Sequence, residues 1–182
     1  PHARRVVSFY GRLHPEYHRF RKNDLPPAMH FGFWDERTGS YAEAQTNMNR
    51  ALAECAAIRA GDRVLDAGCG AGHSAIWLAA RLGVRVVGVN LVPGQVYTAR
   101  RCAYLLGLSH LLSFERQDFT HTGFPDGSFD VVWALESVCH TPEKEAFLAE
   151  ARRLLRPGGR LVVADLFRTG GPFEPEEERL MQ

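Results

Sequence analysis

Residues 64–79 read Val64-Leu65-Asp66-Ala67-Gly68-Cys69-Gly70-Ala71-Gly72-His73-Ser74-Ala75-Ile76-Trp77-Leu78-Ala79. Val64 to Ala67 is a short apolar run, the pattern of a buried strand. The three glycines form a loop, and an apolar helical stretch runs on through Ala80. Working outward, the same alternation repeats. Val84 to Val89 reads as a second strand, Pro93 to Leu106 as a helix, and Leu112 to Arg116 as a third strand. A polar segment with Pro125, Asp126 and Gly127 leads to a fourth strand at Val131 to Leu135. A helix from Pro142 to Leu155 follows, and Pro157-Gly158-Gly159 turns the chain into a fifth strand, Arg160 to Ala164. Strands alternating with helices imply βαβ units, right-handed crossovers and an α/β fold, a parallel sheet with helices on both faces.

Upstream, a helix is expected from Ser40. Ala44, Met48, Ala51, Leu52, Cys55 and Ile58 recur at helical spacing, and Gly61-Asp62 is the expected stop. Residues 1–40 are irregular in composition, with Pro15, Pro26 and Pro27 breaking any long helix. They read as an N-terminal lid or substrate segment, 1–40, ahead of a ligand-binding domain, 41–182, whose sheet is expected to be preceded by N-terminal helices.

The chain has 182 residues, 45% of them apolar, enough for one domain with a real core. Twenty-two basic against twenty-one acidic residues leave a formal charge of +1, so no global field favours nucleic acid. No apolar run is long enough to span a bilayer, and a cytoplasmic protein is expected. The four cysteines, Cys55, Cys69, Cys102 and Cys139, have no CxxC spacing, which argues against a disulfide framework or a zinc site. Histidines and carboxylates do not converge at metal-ligand spacing, so no metal is expected.

In an open parallel sheet, ligands bind beyond the carboxyl ends of the strands. The loop after the first strand lets backbone N–H groups approach a ligand, and the next helix offers its positive end. Gly70-Ala71-Gly72-His73-Ser74-Ala75 even fits a dinucleotide fingerprint. Two details count against a nicotinamide: His73 stands where the run from Gly68 needs a small residue, and Asn90 replaces the ribose-binding acid expected about 20 residues on.

These residues carry a resemblance. VLDAGCGAGHSAIWLA (64–79), VVGVN (86–90), the Asp118-Phe119 pair, FPDGSFDVVWALESVCH (124–140) and LLRPGGRLVVADLF (154–167) are similar, in order, to the Rossmann-like S-adenosylmethionine-dependent methyltransferases. The match most resembles the sterol, tocopherol and prenyl-diphosphate C-methyltransferase branch, where MHFGFW (29–34) also has a counterpart. The resemblance implies S-adenosylmethionine as cofactor, with S-adenosylhomocysteine as product. By position it implies that Asp66, Gly68, Gly70, Asn90, Leu91, Gln95, Asp118, Phe119 and Leu135 hold the cofactor.

For the reaction, the resemblance implies methyl transfer to a small lipophilic acceptor, with C-methylation of an isoprenoid, sterol-like or aromatic compound favoured. Alkene attack on a methyl leaves a carbocation, which needs a base and a negative or aromatic surround. Glu136 and His140 are the candidate catalytic residues, and His30, Phe31, Phe33 and Trp34 the candidate substrate residues. Tyr10, Tyr17 and Tyr41 are lid candidates with nothing to choose between them. Arg19, Arg21 and Lys22 read as a solvated face or an anion grip, and Glu174 to Glu178 as a solvated acidic tail. O- or N-methylation, a nicotinamide dehydrogenase and a non-catalytic binding module remain as alternatives. Family members have a seven-stranded sheet, so this chain is expected to be incomplete at its C-terminus, with its fifth strand a liability for homo-oligomers.

Overall fold

The computed structural model describes residues 2–13 and 28–167. In chain order the elements are α1 (His2–Leu13), α2 (Tyr41–Cys55), β1 (Arg63–Ala67), α3 (His73–Leu82), β2 (Arg85–Val89), α4 (Pro93–Leu105), β3 (Leu112–Glu115) and β4 (Phe129–Leu135). A 3-10 turn (Val138–His140), α5 (Lys144–Leu154) and β5 (Leu155–Ala164) complete it. The strands form one sheet in the order β3-β2-β1-β4-β5, and every neighbouring pair is parallel. This is the expected α/β architecture. Because the order reverses at β1, a crevice opens beyond the ends of β1 and β4.

Alternation along each strand sends side chains to two cores. Val64, Val86, Phe114, Val131 and Trp133 pack with Ala53 of α2, Ile76 and Leu78 of α3 and Ala99 of α4. Leu65, Ala67, Val87, Val132 and Ala134 pack on the other face with Phe147, Ala151 and Leu154 of α5. Burial on both faces explains why the strands read as continuous apolar runs.

Two boundaries correct the sequence reading. The helix from Ser40, whose hydroxyl caps Glu43 N–H at 3.2 Å, ends at Cys55 rather than at Gly61. Ala57 takes the left-handed conformation (φ 45°), with Ala57 N–H bonded to Glu54 O and Ile58 N–H to Ala53 O. That is a Schellman stop built without glycine, and Ile58 folds back onto the core as its hydrophobic contact. At the other end of the sheet, β5 starts at Leu155. It pairs Phe129 with Leu155, bulges at Pro157–Gly159, and resumes with Val131 opposite Arg160. Ahead of the sheet, as expected, the N-terminal region carries a helix, α1, of 12 residues. Tyr17, Arg19, Arg21, Lys22, the three prolines and the acidic run from Glu174 lie outside the described residues.

The long β3–β4 connection is fastened to α5 by Glu150. This carboxylate is nearly buried and accepts from the Thr122 N–H and hydroxyl, both at 2.7 Å, and from Arg153 at 2.7 Å. Arg153 reaches on to Asp126 at 2.6 Å and the Phe124 carbonyl at 2.8 Å. Arg153 foremost, with the Thr122 donors, holds the Glu150 carboxyl down at about 2 against its burial. Its stabilisation is therefore present above the ordinary glutamate range and is lost as pH falls toward 2. Glu150→Ala strands the buried Thr122 N–H and is expected to cost about 2 kcal/mol, a drop in Tm of roughly 4–8 °C in a thermal melt at pH 7. An unchanged Tm would refute this account of the connection.

Candidate functional site

Asp66 is the penultimate residue of β1 and is almost wholly buried. Among the described residues its Oδ2 has no hydrogen-bond partner. Burial pushes this carboxyl up to about 7. The chain then turns through Gly68 and Gly70. The N–H groups of Gly68 and Cys69 both donate to the Val89 carbonyl, at 2.9 and 3.0 Å, locking the loop to the end of β2. Gly68 sits at φ +88°, and a Cβ on it would lie 2.4 Å from Ser137 Cβ. Ser137 in turn donates to the Ala67 carbonyl at 2.6 Å. A Cβ on Gly70 would instead meet nothing within 4 Å, so the open space of the crevice lies there. Gly72 hands the loop to the N-terminus of α3.

The floor beside this loop comes from β2 and its exit. Asn90 spends its amide on protein: Nδ2 donates to the Gly70 carbonyl (3.3 Å) and to Gln95 Oε1 (2.7 Å), while Oδ1 accepts from Val92 N–H (3.2 Å). Asn90 therefore braces the glycine loop as well as facing the cleft. Gln95 Nε2 donates to Met29 Sδ at 3.3 Å. After β3, Asp118 Oδ1 accepts from the Thr120 N–H and hydroxyl, and Phe119 packs edge-on against Phe147.

Beyond β4 the backbone is strained. Glu136 has φ +49°, an uncommon conformation for a residue with a side chain. Its N–H donates to the Ala164 carbonyl at 2.7 Å, and its Oε1 accepts from Phe31 N–H at 2.8 Å. Burial raises the Glu136 carboxyl, the Phe31 bond opposes that, and nearby Asp165 adds to the rise. Four residues on, His140 Nε2 and the Tyr10 hydroxyl share a hydrogen bond of 2.7 Å, which ties α1 across the cleft.

All nine residues expected around the cofactor, Asp66, Gly68, Gly70, Asn90, Leu91, Gln95, Asp118, Phe119 and Leu135, line this one cleft. Glu136, His140 and His30 line it too. Phe31, Phe33 and Trp34 do not, and all three are about half exposed or more. Gly32 explains their outward turn. A Cβ there would lie 2.3 Å from Ala44 Cβ, so residues 28–34 run as a strap that presses its backbone on α2, and Phe33 N–H donates to the Ala44 carbonyl at 2.9 Å. Sequence reasoning did not single out Val6, Met29, Ser137 or Thr141, which line the cleft, and it did not choose Tyr10. The i, i+4 spacing of Val6 and Tyr10 on α1 was the available signal.

The donor set also suits the implied cofactor. An unpartnered buried carboxylate oxygen at Asp66 matches an ammonium group, and the open flank of Gly70 with the start of α3 leaves room for a methionyl chain.

A family model described as a methyltransferase domain matches residues 65–163. The chain is 40% identical over 156 residues to the 27-O-demethylrifamycin SV methyltransferase of Amycolatopsis mediterranei, covering 85% of this chain and 57% of that protein. It is 38% identical over 143 residues to the sterol 24-C-methyltransferase of Eremothecium gossypii, covering 78% and 38%. Its fold is similar to the crystal structure of the [4+2]-cyclase SpnF, with a TM-score of 0.82 and 30% identity over 91% of this chain and 60% of that one. The chain spans about half the length of the first curated relatives it matches.

Proposed function

This chain belongs to the methyltransferase domain family, and we propose from that premise that it methylates a hydroxyl oxygen of a small lipophilic acceptor. S-adenosylmethionine, the donor in this family, supplies an electrophilic methyl carbon when bound and departs as S-adenosylhomocysteine. The observation that carries the oxygen acceptor is His140, whose imidazole lines the cleft in contact with Tyr10. Placed there, His140 takes up the acceptor's hydroxyl proton as the oxygen becomes nucleophilic, and Tyr10 orients the ring. Asp66 holds the cofactor's cationic end, Asn90 and Gln95 face its ribose, and Asp118 with Phe119 its adenine. Val6 and Tyr10 of α1 cover the cleft and exclude water.

A second reading, C-methylation, is supported by Glu136 and by the likeness to sterol 24-C-methyltransferase. There the Glu136 carboxylate would stabilise a carbocation and remove its proton. The aromatic side chains that this chemistry would draw on, Phe31, Phe33 and Trp34, lie outside the cleft, which is why we place oxygen first.

The test is turnover of isotopically labelled S-adenosylmethionine with hydroxylated and alkene acceptors, each product assigned as O-methyl or C-methyl by carbon NMR. His140→Ala is expected to lower turnover by about 10²–10⁴-fold while S-adenosylhomocysteine affinity stays within about twofold. Glu136→Gln is expected to cost less. The reverse ranking, with C-methyl products, would establish the second reading instead.

A further inference from the structure

Asp66 and the glycine loop form one wall of the cleft, and His30 supplies a group that the mechanism above leaves unused. His30 is 6% exposed. Its Nδ1 lies 2.8 Å from the Phe31 carbonyl, so Nδ1 carries the proton and Nε2 presents a lone pair. Its backbone is pinned as well, because Gln45 Nε2 donates to the His30 carbonyl at 2.9 Å and to the Ala28 carbonyl at 3.2 Å. Yet among the described residues Nε2 itself is buried with no partner.

The neighbours say which end of the cleft this is. The His30 ring centroid lies 5.7 Å from that of His73, the first residue of α3 after the glycine loop. His73 is tied in turn to Asn49, Nδ1 to Nδ2, at 3.5 Å. Next along the strap, Met29 already meets Gln95 on the cofactor side. Burial pushes both imidazoles down, His73 to about 4, so neither is a cation at neutral pH. Among the described residues the cleft therefore contains two buried acceptors lacking donors, His30 Nε2 and Asp66 Oδ2. Unpartnered buried acceptors are costly and rare, and two in one cleft are complementary to a group that brings several N–H donors.

We propose that His30 is a second acceptor, alongside Asp66, for the ammonium group at the methionyl end of S-adenosylmethionine. The inference rests on the methyltransferase reading of the same cleft. It moves His30 from the acceptor-binding set, where the sequence placed it, to the cofactor. Residues 28–31 of the strap then span two duties: His30 grips the cofactor's amino-acid end, and the Phe31 N–H holds Glu136.

The experiment is calorimetric titration of the intact chain with S-adenosylhomocysteine and with 5′-methylthioadenosine, which keeps the thioether nucleoside but lacks the amino-acid chain. His30→Phe is expected to weaken S-adenosylhomocysteine by about tenfold or more and to leave 5′-methylthioadenosine within about twofold. His30→Gln, which restores an acceptor oxygen, is expected to recover most of the loss. Equal losses for both ligands, or no loss for either, would overturn the assignment while leaving the methyltransferase reading intact. A wild-type chain that bound neither ligand would overturn that reading and this assignment together. A measurement without any substitution runs beside it. In ¹⁵N spectra of the wild-type imidazoles, S-adenosylhomocysteine must shift the His30 Nε2 signal in the sense of a newly accepted hydrogen bond, and 5′-methylthioadenosine must not.

Discussion

Replacing Gly68 with valine is expected to abolish S-adenosylhomocysteine binding and to lower the melting temperature together. Two causes act at one atom. Gly68 sits at φ +88°, which a β-branched residue adopts only under strain, and its first added carbon would lie 2.4 Å from Ser137 Cβ. Ser137 cannot simply step aside, because its hydroxyl is bonded to the Ala67 carbonyl inside the fold. We expect a cost of about 3–4 kcal/mol from strain and overlap, read as a fall in Tm of roughly 6–16 °C. The rationale differs from that of Gly70, whose missing Cβ borders open cleft. Gly70→Ala should therefore cost only about 1–2 kcal/mol of stability yet still weaken the ligand, which it would crowd directly. Measuring Tm and affinity on both variants separates the two glycines. A Gly68→Val protein that melts normally would show that the Ser137 contact gives way without cost.

Asp66→Asn is expected to stabilise the ligand-free protein at pH 8 and to weaken its ligand. Burial raises this carboxyl to about 7, so the folded chain holds its proton more tightly than the unfolded chain does. The sign follows: the stabilisation is full below the ordinary aspartate range and is lost as pH rises through about 7. The free wild-type protein then carries a penalty on the order of 4 kcal/mol at pH 8, which asparagine removes. Ligand affinity should run the other way. Because the ammonium needs the carboxylate, S-adenosylhomocysteine should bind about tenfold more tightly at pH 8 than at pH 6. Asp66→Asn should flatten that profile and lose about tenfold to a hundredfold at pH 8. Denaturation and calorimetry across pH 5–8 check both arms. A variant that is less stable at pH 8 and binds as tightly as the wild type would remove Asp66 from the ammonium site.

Much of this could be read locally. Val64 to Ala67, Val86 to Val89 and Val131 to Leu135 announce parallel strands because both faces of the sheet are buried, and the cleft-lining positions follow from where those strands end. The places of Asp66, Gly68, Asn90 and Leu135 on one cleft were legible for that reason. The helix stop at Ala57 was not, since glycine is the usual residue there and the motif was completed by Ile58 packing on the core. The outward turn of Phe31, Phe33 and Trp34 was equally hidden, because it depends on Gly32 meeting Ala44 of another element.

By itself the sequence determined the α/β class and the glycine loop, both set by periodicity and by neighbours a few residues apart, and its resemblance to a family picked out residues that share one cleft. Only the tertiary structure decided the cover. Tyr10 meets His140 across 130 residues, Phe31 meets Glu136 across 105, and His30 comes to rest beside His73. Such pairs leave no local pattern, because their contact energy appears only after the sheet has formed and closed the distance between them.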